Sequence, residues 1–108
     1  MRDRLPNRRQ AEHYKVEFQG VHYHVTLGRY ADGRIGEVFV KSEVRVGSQV
    51  QALLDDACVW LSLLLQSGVS PDALSRGSED GGAPSSVLGL AVDLIRCAEQ
   101  DRMIELGG

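Results

Sequence analysis

Residues 47–68 read GSQVQALLDDACVWLSLLLQSG, and no other stretch of the 108-residue chain is both long and apolar enough to be the spine of a core. The pattern predicts one helix. Ser48 suits the N-cap, because a hydroxyl accepts from a free amide of the first turn, and Gly68 suits the left-handed residue past the end. Val50, Leu53, Leu54, Ala57, Trp60, Leu61 and Leu64 recur at three- and four-residue spacing, which assigns them to the inner face. Ala52, Val59 and Leu63 form a second apolar strip roughly opposite, interrupted by Asp56. A second helix or a second subunit has to cover it.

Upstream of this helix the period changes to two. Tyr14, Val16 and Phe18, then Val21, Tyr23, Val25 and Leu27, alternate with polar residues as half-buried strands do. Gln19-Gly20 allows a two-residue hairpin turn, and Asp32-Gly33 is a stronger signal of the same kind before a third strand in IGEVFVKS. A three-stranded antiparallel meander follows. If Phe18 pairs with Val21 and Ala31 with Arg34, Val25 falls between Tyr14 and Val40, and Leu27 beside Val38, on one apolar face. The other face then carries the rows His13-Thr26-Phe39, Lys15-His24-Lys41 and Glu17-His22-Glu43.

Downstream, Ser70-Pro71-Asp72 starts a short helix through Leu74, with proline in its first turn. Residues 76–84 read as a flexible linker. Ser85 or Ser86 caps a last helix whose Val87, Ala91, Leu94, Ile95 and Ala98 share a face able to cover the second strip of the main helix, before a frayed end in EQDRMIELGG. The fold class expected is α+β: a β-meander, a long core helix, a short helix and a C-terminal helix in one domain over 1–108.

Composition bounds the function. With 43% hydrophobic residues, 25% charged residues and a net charge of -3, the chain suits a single core without staples and lacks the footprint of a duplex nucleic-acid binder. Its basic residues gather in an arm over 1–9, with Arg2, Arg4, Arg8 and Arg9. Cys58 and Cys97 lie far apart with no CxxC or Cys-His cluster, so a disulfide scaffold or zinc ribbon is not expected. MRDRLPNRRQAEH has no apolar signal region and the main helix is too interrupted to span a bilayer, so the expectation is a soluble cytoplasmic protein with no membrane partner.

Candidate site residues follow from charge and aromaticity. His22 and His24 opposite Glu17 have the chemistry of metal ligands, but an alternating polar sheet face is ordinarily just wet, and neither a metal nor a cofactor is expected. Arg8, Arg9 and Arg34 carry planar donor forks that match phosphate, and Ser48 stands at a helix start with free amides. Phe39 or Tyr30 offers a ring on which a base can stack. No triad, paired carboxylates or nucleotide-cofactor fingerprint appears, and Asp55 and Asp56 point about 100° apart on a helix, so the chain is expected not to be an enzyme. The segment from Ala57 to Leu65 is apolar nearly all round, which predicts a homo-oligomer, a dimer or an assembly of dimers, with Val59 and Leu63 at its interface.

Four segments also carry a likeness: LPNRRQAEHYKVEF, VTLGRYADGRIGEVFV, VGSQVQALLDDACVWLSLLLQSGVSPDAL and APSSVLGLAVDLI. In that order they resemble the TSCPD domain at the C-terminus of vitamin B12-dependent ribonucleotide reductases, from about Leu5 to Ile95. LPNRRQAE and GRIGEVFV are the most specific parts. The Thr-Ser-Cys-Pro-Asp signature that names the domain is absent, as is a cysteine pair able to pass electrons. The resemblance implies a free-standing, non-catalytic accessory module that takes up a small nucleotide or docks on a reductase. At the level of architecture the chain also looks like oligomeric phage anti-defence proteins that sequester cyclic nucleotide signals. A purely protein-docking module is the third reading.

Overall fold

A computed structural model describes residues 2–7, 9–45, 47–75, 84 and 86–107, the last seven as backbone only. Strands β1 (Gln10–Phe18), β2 (Val21–Arg29) and β3 (Ile35–Ser42) form an antiparallel sheet in the order β1-β2-β3. Helices α1 (Ser48–Gln66), α2 (Pro71–Leu74) and α3 (Val87–Gly107) follow, an α+β fold. Of the expected linker at 76–84, all but Pro84 lies outside the described residues.

The register is the one that alternation demands. Phe18 faces Val21, Val25 lies between Tyr14 and Val40, and Leu27 faces Val38. Gln19 and Gly20 both have positive φ, 52° and 81°, the backbone of a two-residue hairpin turn whose twist matches the strands. The second turn differs from expectation. Tyr30 and Arg34 close a three-residue loop, with the Tyr30 amide donating to the Arg34 carbonyl at 2.9 Å and the Gly33 amide to the Tyr30 carbonyl at 2.9 Å. Gly33 takes φ 93°, which a side chain resists, and the register shift between Gly28 and Arg29 absorbs the added residue so that the rest of the pairing is unchanged.

Val25, Leu27, Ile35, Val38 and Val40 are buried on one face of the sheet, against Leu54, Cys58 and Leu65 of α1 and Val87, Ala91, Ile95 and Ala98 of α3. The inner face of α1 is therefore rotated from the expected one. Leu54, Cys58, Ser62 and Leu65 are buried, whereas Val50, Leu53, Trp60 and Leu64 are exposed. The cause is the open edge of β3. Val38 and Gly36 turn backbone groups away from β2, and α1 meets them with polar side chains: Ser62 Oγ accepts from the Val38 amide at 3.0 Å, and Gln66 donates to the Gly36 carbonyl at 2.9 Å. The Val40 backbone bonds to the Cys58 thiol in the same series. Four residues of helix rise about 6 Å and two residues of strand about 6.6 Å, so Cys58, Ser62 and Gln66 step along β3 in phase. An apolar count does not see this, because satisfying a strand edge outranks burying one more leucine.

The helix ends also differ in part. Gly47, not Ser48, is the N-cap of α1, with no side-chain cap bond, while Gly68 takes φ 96° past the C-terminus as expected. Ser70 accepts from the Ala73 amide at 3.1 Å, and Ser86 accepts from the Gly89 amide at 3.1 Å to start α3. The backbone of α3 stays helical to Gly107 rather than fraying. Nor does α3 cover the second strip of α1. It packs on β3 and α2, leaving Val59 exposed and Leu63 half-buried.

Candidate functional site

The long helices α1 and α3 pack on the apolar residues of the sheet, and among the described residues His13, Lys15, His24, Phe39 and Lys41 of the other face are exposed. The expected rows are present: His13-Thr26-Phe39 and Lys15-His24-Lys41 pair directly, and the Glu43 amide donates to the His22 carbonyl at 2.9 Å in the next. On the edge strand β3, Phe39 is 44% exposed, an aromatic ring on a polar surface. Across the ladder His13 Nδ1 and Thr26 Oγ1 lie 3.0 Å apart. One row along, Lys15 and His24 both approach Glu43, at 3.4 and 3.3 Å. Desolvation is the largest single influence on the Glu43 carboxyl and pushes it up, but the hydrogen bonds and charges of Lys15 and His24 together outweigh it and hold its pKa below the usual value. Lys41 follows Phe39 on the same strand face and, among the described residues, has no ion-pair partner.

Arg9 belongs to the same face but is engaged. Its Nε and a terminal nitrogen meet both oxygens of Glu37 at 2.7 and 2.9 Å, a fork-to-fork pair, and a third nitrogen donates to the Pro6 carbonyl at 2.8 Å. Gly28 lies beneath this pair. A Cβ there would stand 2.6 Å from Glu37 Oε2, so glycine is what lets the bridge cross the middle strand.

Arg34 and Tyr30 sit elsewhere, at the β2–β3 loop. Arg34 bonds to Asp32 at 2.7 Å and to Asp3 at 3.2 Å, and its guanidinium lies 4.6 Å over the Tyr30 ring. Tyr30 is 8% exposed and donates its hydroxyl to the Asp3 carbonyl, while the Asp3 amide donates to the Gln66 carbonyl at 2.8 Å. Burial, then the Asp3 charge, pushes the Tyr30 phenol up. This cluster ties part of the N-terminal arm to the end of α1. It leaves Tyr30 no open ring face on which a base can stack.

The expected phosphate contacts are therefore not gathered into one place. Gln66 reaches Gly36 at the start of β3, so Ser48, at the other end of the 19-residue α1, lies roughly 28 Å of helix away from the Arg34 end. Arg8 lies outside the described residues. Phe39 alone of the proposed stacking rings is accessible, with Lys15, Lys41 and the histidines as its polar company. Of the arginines expected at phosphate, Arg9 is paired with Glu37 and Arg34 with Asp32 and Asp3, partners that charge alone does not reveal in the sequence.

Three further groups bear on chemistry. Arg29 bonds to Glu12 and donates to the Gly33 carbonyl at 2.6 Å, and Tyr14 donates to Glu12 at 2.5 Å. The Arg29 bond is the main reason the Glu12 carboxyl titrates below its usual range. Cys58 is buried, and burial pushes its thiol up, away from the reactive thiolate. Among the described residues no three His, Cys, Asp or Glu side chains cluster as metal ligands, and no helix is long and apolar enough to cross a membrane.

The chain is similar to one segment of much larger enzymes. It is 37% identical over 68 residues to the vitamin B12-dependent ribonucleotide reductase of Agrobacterium fabrum, covering 63% of this chain and 5% of that protein. The enzyme of the same name from Rhodopirellula baltica is 35% identical over 68 residues, 63% of this chain and 6% of its own length. That of Bradyrhizobium diazoefficiens is 31% identical over 71 residues, 66% and 6% respectively. No family profile matches the chain. No solved structure matches it either. The chain thus spans about one-twentieth of the curated relatives it matches, and what it shares with them is a region of ribonucleotide reductase sequence.

Proposed function

We propose that this chain is a free-standing, non-catalytic module of the TSCPD type, associated with ribonucleotide reductase chemistry, and that it holds a small nucleotide on the polar face of its sheet. The observation that carries the ligand is Phe39, an aromatic ring 44% exposed on β3 in a sheet face opposite the one that builds the core. A base stacked on an aromatic ring is worth about 1–3 kcal/mol and needs no hydrogen-bond code. Lys41, one row away on the same strand face, supplies the counter-charge for phosphate, while Lys15 is turned to Glu43.

The reductase association is supported by the similarity to the three B12-dependent enzymes. The non-catalytic reading is supported by the state of the titrating groups. Glu12, Arg29, Arg9 and Arg34 are shifted toward their charged forms by ion pairs, the direction of structural bridges rather than of an acid or base poised near neutrality.

Calorimetry against nucleoside di- and triphosphates and cyclic dinucleotides tests the ligand, with Phe39→Ala as the paired variant. Binding in the micromolar range that weakens at least tenfold in the variant, about 1.4 kcal/mol, is expected. If no compound binds below millimolar concentration while a pull-down recovers a reductase, the chain is a docking module and the nucleotide part of the proposal fails.

A further inference from the structure

We infer that the free edge of β1 pairs with β1 of a second copy, antiparallel about a twofold axis through Val16, so that two three-stranded sheets become one continuous sheet. The two edges of the sheet differ in what meets them. At β3 the outward backbone groups are met by α1: Ser62 Oγ accepts from the Val38 amide, Gln66 donates to the Gly36 carbonyl, and the Cys58 thiol bonds to the Val40 backbone. At β1 the two-residue turn Gln19-Gly20 makes Phe18 and Val21 a hydrogen-bonded pair, so the even-numbered residues of the strand bond to β2. The amides and carbonyls of Ala11, His13, Lys15 and Glu17 therefore point outward, and among the described residues no hydrogen bond reaches them. Nor is this edge blunted by proline or a bulge, since β1 has no proline and its pairing to β2 runs unbroken from Gln10 to Phe18.

Unpaired strand groups call for another strand, and the side chains point to a second copy of this one. With Val16 opposite Val16 of the second copy, Lys15 faces its Glu17 and Glu17 faces its Lys15, so one symmetry operation makes two opposite-charge pairs on the polar side. Lys15 and Glu17 are also residues whose backbone groups point outward, so each pair is a hydrogen-bonded one. On the apolar side Tyr14 faces Phe18 of the second copy, flanking Val16, and all three are only half-buried within their own chain. Among the described residues Glu17 has no ion-pair partner, and Lys15, its side chain 55% exposed, approaches Glu43 at 3.4 Å. The neighbouring registers lack this match. An axis through Lys15 sets that lysine against itself, and one through Tyr14 sets Lys15 against His13 and Glu12 against Val16. Symmetry also fixes the number of copies: the pairing uses both β1 edges while α1 covers both β3 edges, so assembly closes at two instead of growing into a filament.

This interface differs from the one expected at Val59 and Leu63, and Val59, exposed on α1, serves as a control. Light scattering of the wild-type chain at tens of micromolar should give about twice 11.8 kDa. Glu17→Lys and Lys15→Glu each turn both attractive pairs into repulsive ones and should weaken the dimer about tenfold or more, with the circular dichroism of the fold retained. Val59→Glu should leave the dimer intact. Mixing the two charge variants sets lysines on one strand against glutamates on the other and should restore a dimer. Hydrogen exchange reads the same edge without substitution: the Lys15 and Glu17 amides should be protected in the concentrated wild-type chain and exchange freely on dilution, while the Val16 amide, bonded to β2, stays protected. A wild-type mass of 11.8 kDa, a dimer unchanged by both charge variants, a mixture that stays monomeric, or Lys15 and Glu17 amides that exchange freely at every concentration overturns the inference. A dimer split by Val59→Glu places the interface on α1 and overturns it too.

Discussion

Ser62 of α1 closes the free edge of β3 at Val38: its hydroxyl accepts from the Val38 amide at 3.0 Å and donates to the Cys58 carbonyl at 2.7 Å. The bond is buried, so the amide has no water to turn to. Replacing Ser62 with alanine leaves that donor unpaired and should cost about 1–3 kcal/mol in urea unfolding. The same change at Ser67, whose exposed hydroxyl donates to the Leu63 carbonyl, should move stability by less than about 0.5 kcal/mol.

The neighbours Leu53 and Leu54 separate the two sides of α1. Leu54 is 7% exposed and Leu53 61%. In urea unfolding, Leu54→Ala should lose about 2–4 kcal/mol and Leu53→Ala less than about 0.5 kcal/mol. Equal losses would mean that the expected inner face was the true one.

Glu12 sets an acid limit on the fold. Its pKa is depressed chiefly by the Arg29 bond, with Tyr14 adding to it against the opposing effect of burial. A carboxylate held below its unfolded value stabilises the fold above that value, about 4.3, and the contribution disappears as pH falls toward the folded pKa. Glu12→Gln should therefore lower stability near neutral pH, and the gap to wild type should shrink below about pH 4. Unfolding midpoints in urea at a series of pH values measure both.

How much of this was legible in the sequence divides along physical lines. Strand alternation is strict, so Val25, Leu27, Val38 and Val40 fixed the register and with it both faces of the sheet, including the row of Phe39. The helix face was not legible from apolar spacing, because α1 is apolar on more than one side and the choice was made by the strand edge. Only Ser62 and Gln66, polar residues four apart at the end of an apolar run, betray that side. The arginines were legible as cations and not as partners. Whether Arg9 is free for phosphate depends on Glu37 crossing over Gly28, 28 residues along the chain from Arg9, a relation that only the folded sheet creates.

The most direct test of the nucleotide reading is an NMR titration of the labelled wild-type chain with the tightest compound of the calorimetric panel. Amide and side-chain shifts are expected to move in Thr26, Phe39 and Lys41 on the polar face of the sheet, with Arg34 and Ser48, at the two ends of α1, unmoved. Shifts gathered at Arg34 or Ser48 with Phe39 silent, or no shifts at millimolar nucleotide, would contradict it.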